Sequence, residues 1–234
     1  MRPWQQEKHY IQALILSSLA DEPLVFKGGT YLWFFHGLRR FSEDLDFTAI
    51  GAIHDDLPIR VSRDLALLGV ENNVKDVESN NAGVSFRVAA KGPLNTGEKD
   101  IYYVYVEISK REKVIMKSMS VKLDIPAYQM PIKVISGMAL DEVAAEKVRA
   151  IMSRNKARDV YDLYYLIKEK GVKFNLDLTN RKLAYLSKSF SRKELIEELN
   201  KKEDIFEREL KGILFVKPPD FNEAKHIIED WVER

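Results

Sequence analysis

Asp44 and Asp46 stand one residue apart, shortly after a Lys-Gly-Gly-Thr run, in the stretch FKGGTYLWFFHGLRRFSEDLDF. In an extended strand alternate side chains share a face, so both carboxylates project together while Leu45 and Phe47 turn to the core. Neighbouring carboxylates repel unless a cation joins them. Magnesium accepts one or two carboxylates and keeps its other positions for water and phosphate oxygens, and a pair of such ions roughly 4 Å apart serves phosphoryl chemistry. Lys27, Gly28, Gly29 and Thr30 supply the complementary half. Glycine amides approach a phosphate closely, a following helix N-terminus favours the negative charge, and the Thr30 hydroxyl is a further phosphate donor.

Each half alone has a plain structural reading, the glycine pair as a turn and the aspartates as solvated strand carboxylates. Their union in one strand, turn, helix, strand unit is what points to a triphosphate and its metal. DLDFT also fits the D-x-D-x-T pattern of haloacid-dehalogenase-like phosphatases, in which the first aspartate ends an apolar strand. Here RRFSE precedes Asp44, so the aspartates begin the strand, against that reading.

The elements that must hold these residues follow from periodicity. Tyr10, Ile11, Leu14, Ile15 and Leu19 define one helix face ending near Ala20. Leu24 to Phe26 reads as a buried strand, KGG as the turn, Thr30 to His36 as a buried helix closed by Gly37, and Asp44 to Thr48 as the next strand. A polar helix follows over 56–68, then strands over 71–78, 83–89, 102–109, 121–125 and 132–135, with KGPLNTGEKD as a loop. After Ser136 the pattern is helical, over 140–153, 157–168, 180–187 and 192–202, the last opened by Ser191 and Glu194 as a capping box, and a final helix runs from PPDF to Trp231. The expectation is an α+β fold, with residues 1–135 as a mixed sheet-and-helix domain and residues 136–234 as a helical domain.

Composition narrows the chemistry. The chain has 234 residues, 45% hydrophobic, enough for a sizeable core, and no cysteine, which removes disulfides and thiolate metal sites. Four scattered histidines make zinc a poor fit, leaving oxygen ligands. The N-terminal apolar run carries Glu7, Lys8 and His9 and fits neither a leader peptide nor a membrane span, so a cytoplasmic protein is expected. Net charge is +1, yet residues 147–193 hold 13 Lys/Arg against 4 Asp/Glu and residues 194–234 hold 7 against 12. The basic block reads either as a face for a polyanion or as a solvated helix surface.

KGGT followed by GLRRFSEDLDF resembles the G-G-[ST] and R-x-S-x-D-x-D motif of the AbiEii toxin family within the polymerase-beta-like nucleotidyltransferase superfamily. DEVAAEKVRAIMSRNKARDVYDLYYL resembles that family's E-K-x-x-A and R-D-x-Y-D-L block, in the family's order. The resemblance reaches to about Lys168. It implies a polymerase-beta-like nucleotidyltransferase domain with a mixed sheet, a helical C-terminal domain contributing to the active site, magnesium, and an NTP as nucleotide donor. Carried onto this chain, it implies Asp44 and Asp46 as metal ligands, Thr30 as the motif hydroxyl, Arg40 and Ser42 beside the nucleotide, Lys147 reaching its phosphates, and Asp159 as the acid of the R-D pair. It further implies an RNA acceptor, with the tRNA 3′ end as a candidate, and an antitoxin partner.

Read from the residues alone, Lys147 and Asp159 would meet if their helices form a hairpin, with Asp162 on the same face as Asp159; a structural salt bridge explains that equally. Tyr161, Tyr164, Tyr165 and Leu166 have core spacing. The superfamily places a third carboxylate on a neighbouring strand, as general base, and Glu107 and Asp124 both remain candidates. Two other functions stand beside the RNA-modifying toxin: a non-catalytic partner-binding protein of the same fold, and a small-molecule nucleotidyltransferase, which the basic block disfavours.

Overall fold

Strand and helix periods alternate through the first part of the chain and give way to helical spacing after Ser136, and the architecture follows that change. The computed structural model describes residues 1–93, 97 and 100–233; part of the loop expected over 91–100 lies outside the described residues. Two compact units form. One comprises residues 1–37 and 41–138, the other residues 139–234 together with Leu38–Arg40.

The first unit runs α1 (Pro3–Leu19), β1 (Leu24–Lys27), α2 (Gly28–His36), β2 (Leu45–Ala49), α3 (Leu57–Leu67), β3 (Asn72–Ser79), β4 (Gly83–Ala90), β5 (Tyr102–Ser109), β6 (Met119–Leu123) and β7 (Lys133–Gly137). The strands form one mixed sheet in the order β3-β4-β5-β2-β1-β7-β6. β2 pairs antiparallel with β1 and parallel with β5, so it has a neighbour on both sides. Val84, Phe86 and Val88 of β4 and Val104, Val106 and Ile108 of β5 are buried, whereas Arg87, Tyr103 and Glu107 between them are exposed. One face of this half therefore belongs to the core beneath α1 and α3, and the other is open. Each fully buried side chain of this kind contributes roughly 1.5–3 kcal/mol.

The second unit contains α4 (Leu140–Ile151), α5 (Ala157–Lys170), α6 (Leu176–Leu183), α7 (Arg192–Asn200), α8 (Glu203–Lys211) and α9 (Phe221–Glu233). Two elements differ from expectation. The helix expected from Asn180 starts at Leu176, because the Asn175 side chain accepts from Leu178 N and caps it there. The helix expected over 192–202 stops at Asn200, and α8 follows as a separate helix burying Phe206 and Leu210. Between them the Lys202 ammonium is buried on the carbonyls of Ile151 and Glu198, which satisfies C-terminal backbone oxygens of α4 and α7.

The basic and acidic runs of this unit answer one another. Lys168 pairs with Glu223, Lys188 with Glu194, Arg192 with Glu233, and buried Lys182 with Glu142 and Glu146. Part of the positive charge that the sequence concentrates over 147–193 is thus answered within the unit.

Candidate active site

Register across the sheet brings three of the expected residues into one row. Asp46 of β2 stands opposite Lys27 of β1 on one side and opposite Glu107 of β5 on the other. Opposed residues of neighbouring strands share a face with Cβ atoms roughly 5 Å apart, so a lysine and two acids line up across the sheet. Asp44 precedes the strand by one residue, and its side chain is half-buried like that of Asp46. Asp124, the other candidate for the third acid, follows β6 at the far sheet edge, exposed and paired with Lys122 at 2.6 Å. Three strand spacings of about 4.8 Å separate β6 from β2, so the topology brings Glu107 and not Asp124 to Asp46.

Gly28 explains the glycine in KGG. It has φ +78°, and a Cβ there would lie 2.3 Å from Asp46 Oδ2. The Asp46 carboxylate therefore rests over the first residue of α2, where helix amides favour negative charge and no side chain fits. The Lys27 ammonium, opposite Asp46, is buried and bonded to Glu112 just beyond β5.

The non-helical segment before β2 is fixed from two directions. Thr30 Oγ1 donates to the Asp44 carbonyl at 2.5 Å, and Gln12 Nε2 donates to the carbonyls of Ser42 and Glu43 at 3.0 and 2.8 Å. Thr30 and Gln12 are fully buried. Two helices thus hold the backbone that presents the aspartates, which limits how far the carboxylates wander. The sequence reading missed Gln12. Its only signal was a polar residue between Ile11 and Ala13 on the core face of α1, where an unpartnered amide would be costly. Ser42 is buried, and Lys8 pairs with Glu43 at 2.5 Å beside it.

In the second unit Arg40, Lys147, Arg154, Asp159 and Asp162 form a closed ionic cluster. Arg40 clasps Asp162 with Nε and one terminal nitrogen at 2.6 and 2.7 Å. Lys147 lies 2.6 Å from Asp162 and 3.0 Å from Asp159, and Arg154 grips Asp159 at 2.7 and 2.9 Å. Both aspartates have no exposed surface, and Arg40 and Lys147 are 2% and 6% exposed. Burial pushes both carboxyls up, but the neighbouring cations outweigh it. Lys147 and Arg154 hold Asp159 well below the usual carboxylate range, and Arg40 and Lys147 do the same for Asp162. Residues Leu38–Arg40 are tied in further by an Arg40 bridge to Leu214 and by Phe215 N donating to the Arg39 carbonyl at 3.0 Å. Tyr161, Tyr164, Tyr165 and Leu166 are buried.

Among the described residues no three Asp, Glu, His or Cys side chains are gathered into a ready-made metal cage. The donor set is nevertheless the one a hard cation takes: oxygens only, the Asp46 carboxylate of β2, that of Asp44 just before it, and a third opposed on β5. No helix among the described residues is long and apolar enough to cross a membrane.

A mixed sheet bearing a D-x-D strand beside a glycine-opened helix, followed by a helical unit, defines a nucleotidyltransferase of α+β architecture. The sequence matches the family described as Nucleotidyl transferase AbiEii toxin, Type IV TA system, over residues 10–229, and the chain belongs to that family of nucleotidyltransferase toxins. No curated protein matches it. Among solved structures, a putative nucleotidyltransferase from Helicobacter pylori is similar at TM-score 0.68 and 22% identity, covering 100% of this chain and 95% of that one. JHP933 from Helicobacter pylori aligns at TM-score 0.67 and 22% identity over 100% and 92% of the two chains. MenT4, a nucleotidyltransferase toxin from Mycobacterium tuberculosis, aligns at 0.66 and 19% over 98% and 84%. At these identities the likeness is one of fold.

Proposed function

We propose that this chain is the cytoplasmic toxin of a toxin–antitoxin pair and moves a nucleotide from an NTP to a hydroxyl of RNA, with a tRNA 3′ end as the candidate acceptor. The observation that carries this reading is the row Lys27, Asp46, Glu107 with the Asp46 carboxylate seated over Gly28. Asp44 and Asp46, with Glu107 opposed, would hold magnesium. Bound there, the metal supplies positive charge to the triphosphate and to the leaving pyrophosphate.

The chain's own groups divide the remaining work. Amides of Gly28 and Gly29 at the start of α2 bind phosphate oxygens, and Lys27 adds charge beside them. Glu107 takes the proton of the acceptor hydroxyl as its oxygen attacks the α-phosphorus; a new P–O bond forms, the α–β bridge breaks, and pyrophosphate leaves. Positioning and fixed charge supply most of the rate gain.

The geometry favours a different role for Thr30 and Arg40 from the one the family resemblance implies. The Thr30 hydroxyl is buried on the Asp44 carbonyl and Arg40 is clasped by Asp162, so both act as positioning residues. Ser42 shares that role through its carbonyl, which Gln12 holds. For Lys147 the resemblance implies a phosphate contact, whereas its ammonium is held by Asp159 and Asp162 within the helical unit, so it too acts as a positioning residue.

The test is transfer of label from each of four α-labelled NTPs to total RNA with magnesium, using the parent and Asp46→Ala. Label entering RNA with the parent alone is the expected result. Label in RNA with both proteins would remove Asp46 from the mechanism. Label in a protein or small molecule only would move the acceptor out of the RNA class.

A further inference from the structure

The open face of β3, β4 and β5 continues directly from the carboxylate row and carries side chains the reaction above does not use. Tyr103, Tyr105 and Glu107 alternate along β5 and therefore share this face. Tyr103 is 44% exposed, while Val104 and Val106 between these residues are fully buried. A cleft of about 210 Å³ opens beside Glu107, walled by Tyr105, Ser85, Glu78, Asn80 and Arg111. That is smaller than the roughly 300–1,000 Å³ of a drug-sized site.

Charge along this face is graded. At the near end lie Glu107, with Ser85 and Glu78 opposite in successive strands. At the far end Arg87 stands opposite Tyr105, Lys75 stands opposite Arg87, and both cations approach the Tyr103 ring, Arg87 Cζ at 5.9 Å and Lys75 Nζ at 6.0 Å from its centroid. Arg87 also meets Asp76 at 3.1 Å, an exposed pair worth little against a phosphate. Tyr103 and Tyr105 are spaced roughly 6.7 Å apart along the strand backbone, from the rise per residue. Two tyrosines on one face, with long flexible cations over the outer ring that can swing to a phosphate and an acidic end beyond, are what a single strand needs: bases stack on the rings, phosphates draw the cations, and the terminal hydroxyl arrives at the carboxylates.

We infer that this face is the path of a single-stranded RNA acceptor end, with Tyr105 and Tyr103 stacking successive bases outward from the cleft beside Glu107. The inference rests on the RNA-acceptor reading and adds where the RNA lies. It also places the acceptor on the first unit.

The experiment compares the parent with the double variants Tyr103→Ala/Tyr105→Ala and Tyr103→Phe/Tyr105→Phe. It reads the KM for RNA, the KM for NTP, and the affinity for fluorescent single-stranded and duplex RNA oligonucleotides. The alanine pair is expected to raise the RNA KM and weaken single-strand binding by about tenfold or more, with the NTP KM and thermal midpoint unchanged, and the phenylalanine pair to stay within about twofold of the parent. RNA labelled equally well by the alanine pair would overturn the path while leaving the RNA-acceptor reading intact. Tyrosine-dependent single-strand binding by a protein that labels no RNA would keep the path and defeat that reading. Equal affinity for duplex and single strand would contradict the stacking.

Discussion

The two charged clusters of this protein are built on opposite plans. In the helical unit Arg40, Lys147 and Arg154 enclose Asp159 and Asp162, every member is within 3.0 Å of an opposite charge, and both acids are sealed from water. In the sheet unit half-buried Asp46 lies in the middle of the sheet, with buried Lys27 opposed on β1 and exposed Glu107 opposed on β5, and half-buried Asp44 just precedes the strand. The first plan seals its acids into an ionic network, while the second leaves carboxylates partly open to solvent, as the proposed function requires. The lesson is that a carboxylate's neighbours, rather than its sequence motif, tell which task it performs.

Substitutions separate the plans. The largest effect on rate belongs to Asp44→Asn and Asp46→Asn, each expected to lower transfer about a thousandfold or more with no loss of stability in denaturant titration. The largest effect on stability belongs to Arg40→Ala, which leaves Asp162 buried against Lys147 alone. It should cost about 3–5 kcal/mol in the same titration, and a cost below about 1 kcal/mol would move Arg40 out of the scaffold. Gly28→Ala comes next, because the new methyl collides with the Asp46 carboxylate at a left-handed position. Transfer should fall by more than about a hundredfold for a stability loss of roughly 1–2 kcal/mol. Thr30→Val removes one buried donor at constant shape and should cost about 1 kcal/mol and roughly tenfold in rate, with Thr30→Ser restoring both.

Acid sharpens the contrast with smaller signals. Burial against Phe34 and Trp33 lowers His9 of the sheet unit from 6.5 to about 4. The unfolded chain then binds the extra proton first, so its contribution is complete above pH 6.5 and is lost as pH falls toward 4. Asp159 and Asp162 are depressed carboxyls, whose contribution is complete above about pH 4 and is lost below it. Circular dichroism on acid titration should therefore show the sheet unit weakening before the helical unit, and His9→Phe should remove the earlier phase.

Local pattern carried much of this to the surface of the sequence. The strand, helix, strand order was legible because glycine, proline and alternation mark it within a few residues, although Gly28 and Gly29, expected as part of a turn, open α2 itself and Asp44, expected in the strand, precedes it; β5 was found to the residue from Tyr102 to Ser109. The pairing of Asp46 with Glu107 was not, since a sheet order of β5-β2-β1 joins residues 61 apart in the chain, and no spacing encodes it. Gln12 and Glu112 were invisible for the same reason: each matters through a partner brought near only by the fold. The break between α7 and α8 was hidden because Lys201 and Lys202 continue a helical pattern, while the buried amine that ends it answers carbonyls from two helices.

The most direct test of the carboxylate row is manganese binding, measured by electron paramagnetic resonance with a non-hydrolysable NTP, on the parent, Asp46→Asn, Glu107→Gln and Asp124→Asn proteins. Manganese takes the oxygen ligands magnesium takes. The row predicts tight binding by the parent and by Asp124→Asn, binding lost in Asp46→Asn, and binding weakened in Glu107→Gln. Undiminished manganese on folded Asp46→Asn protein would contradict it.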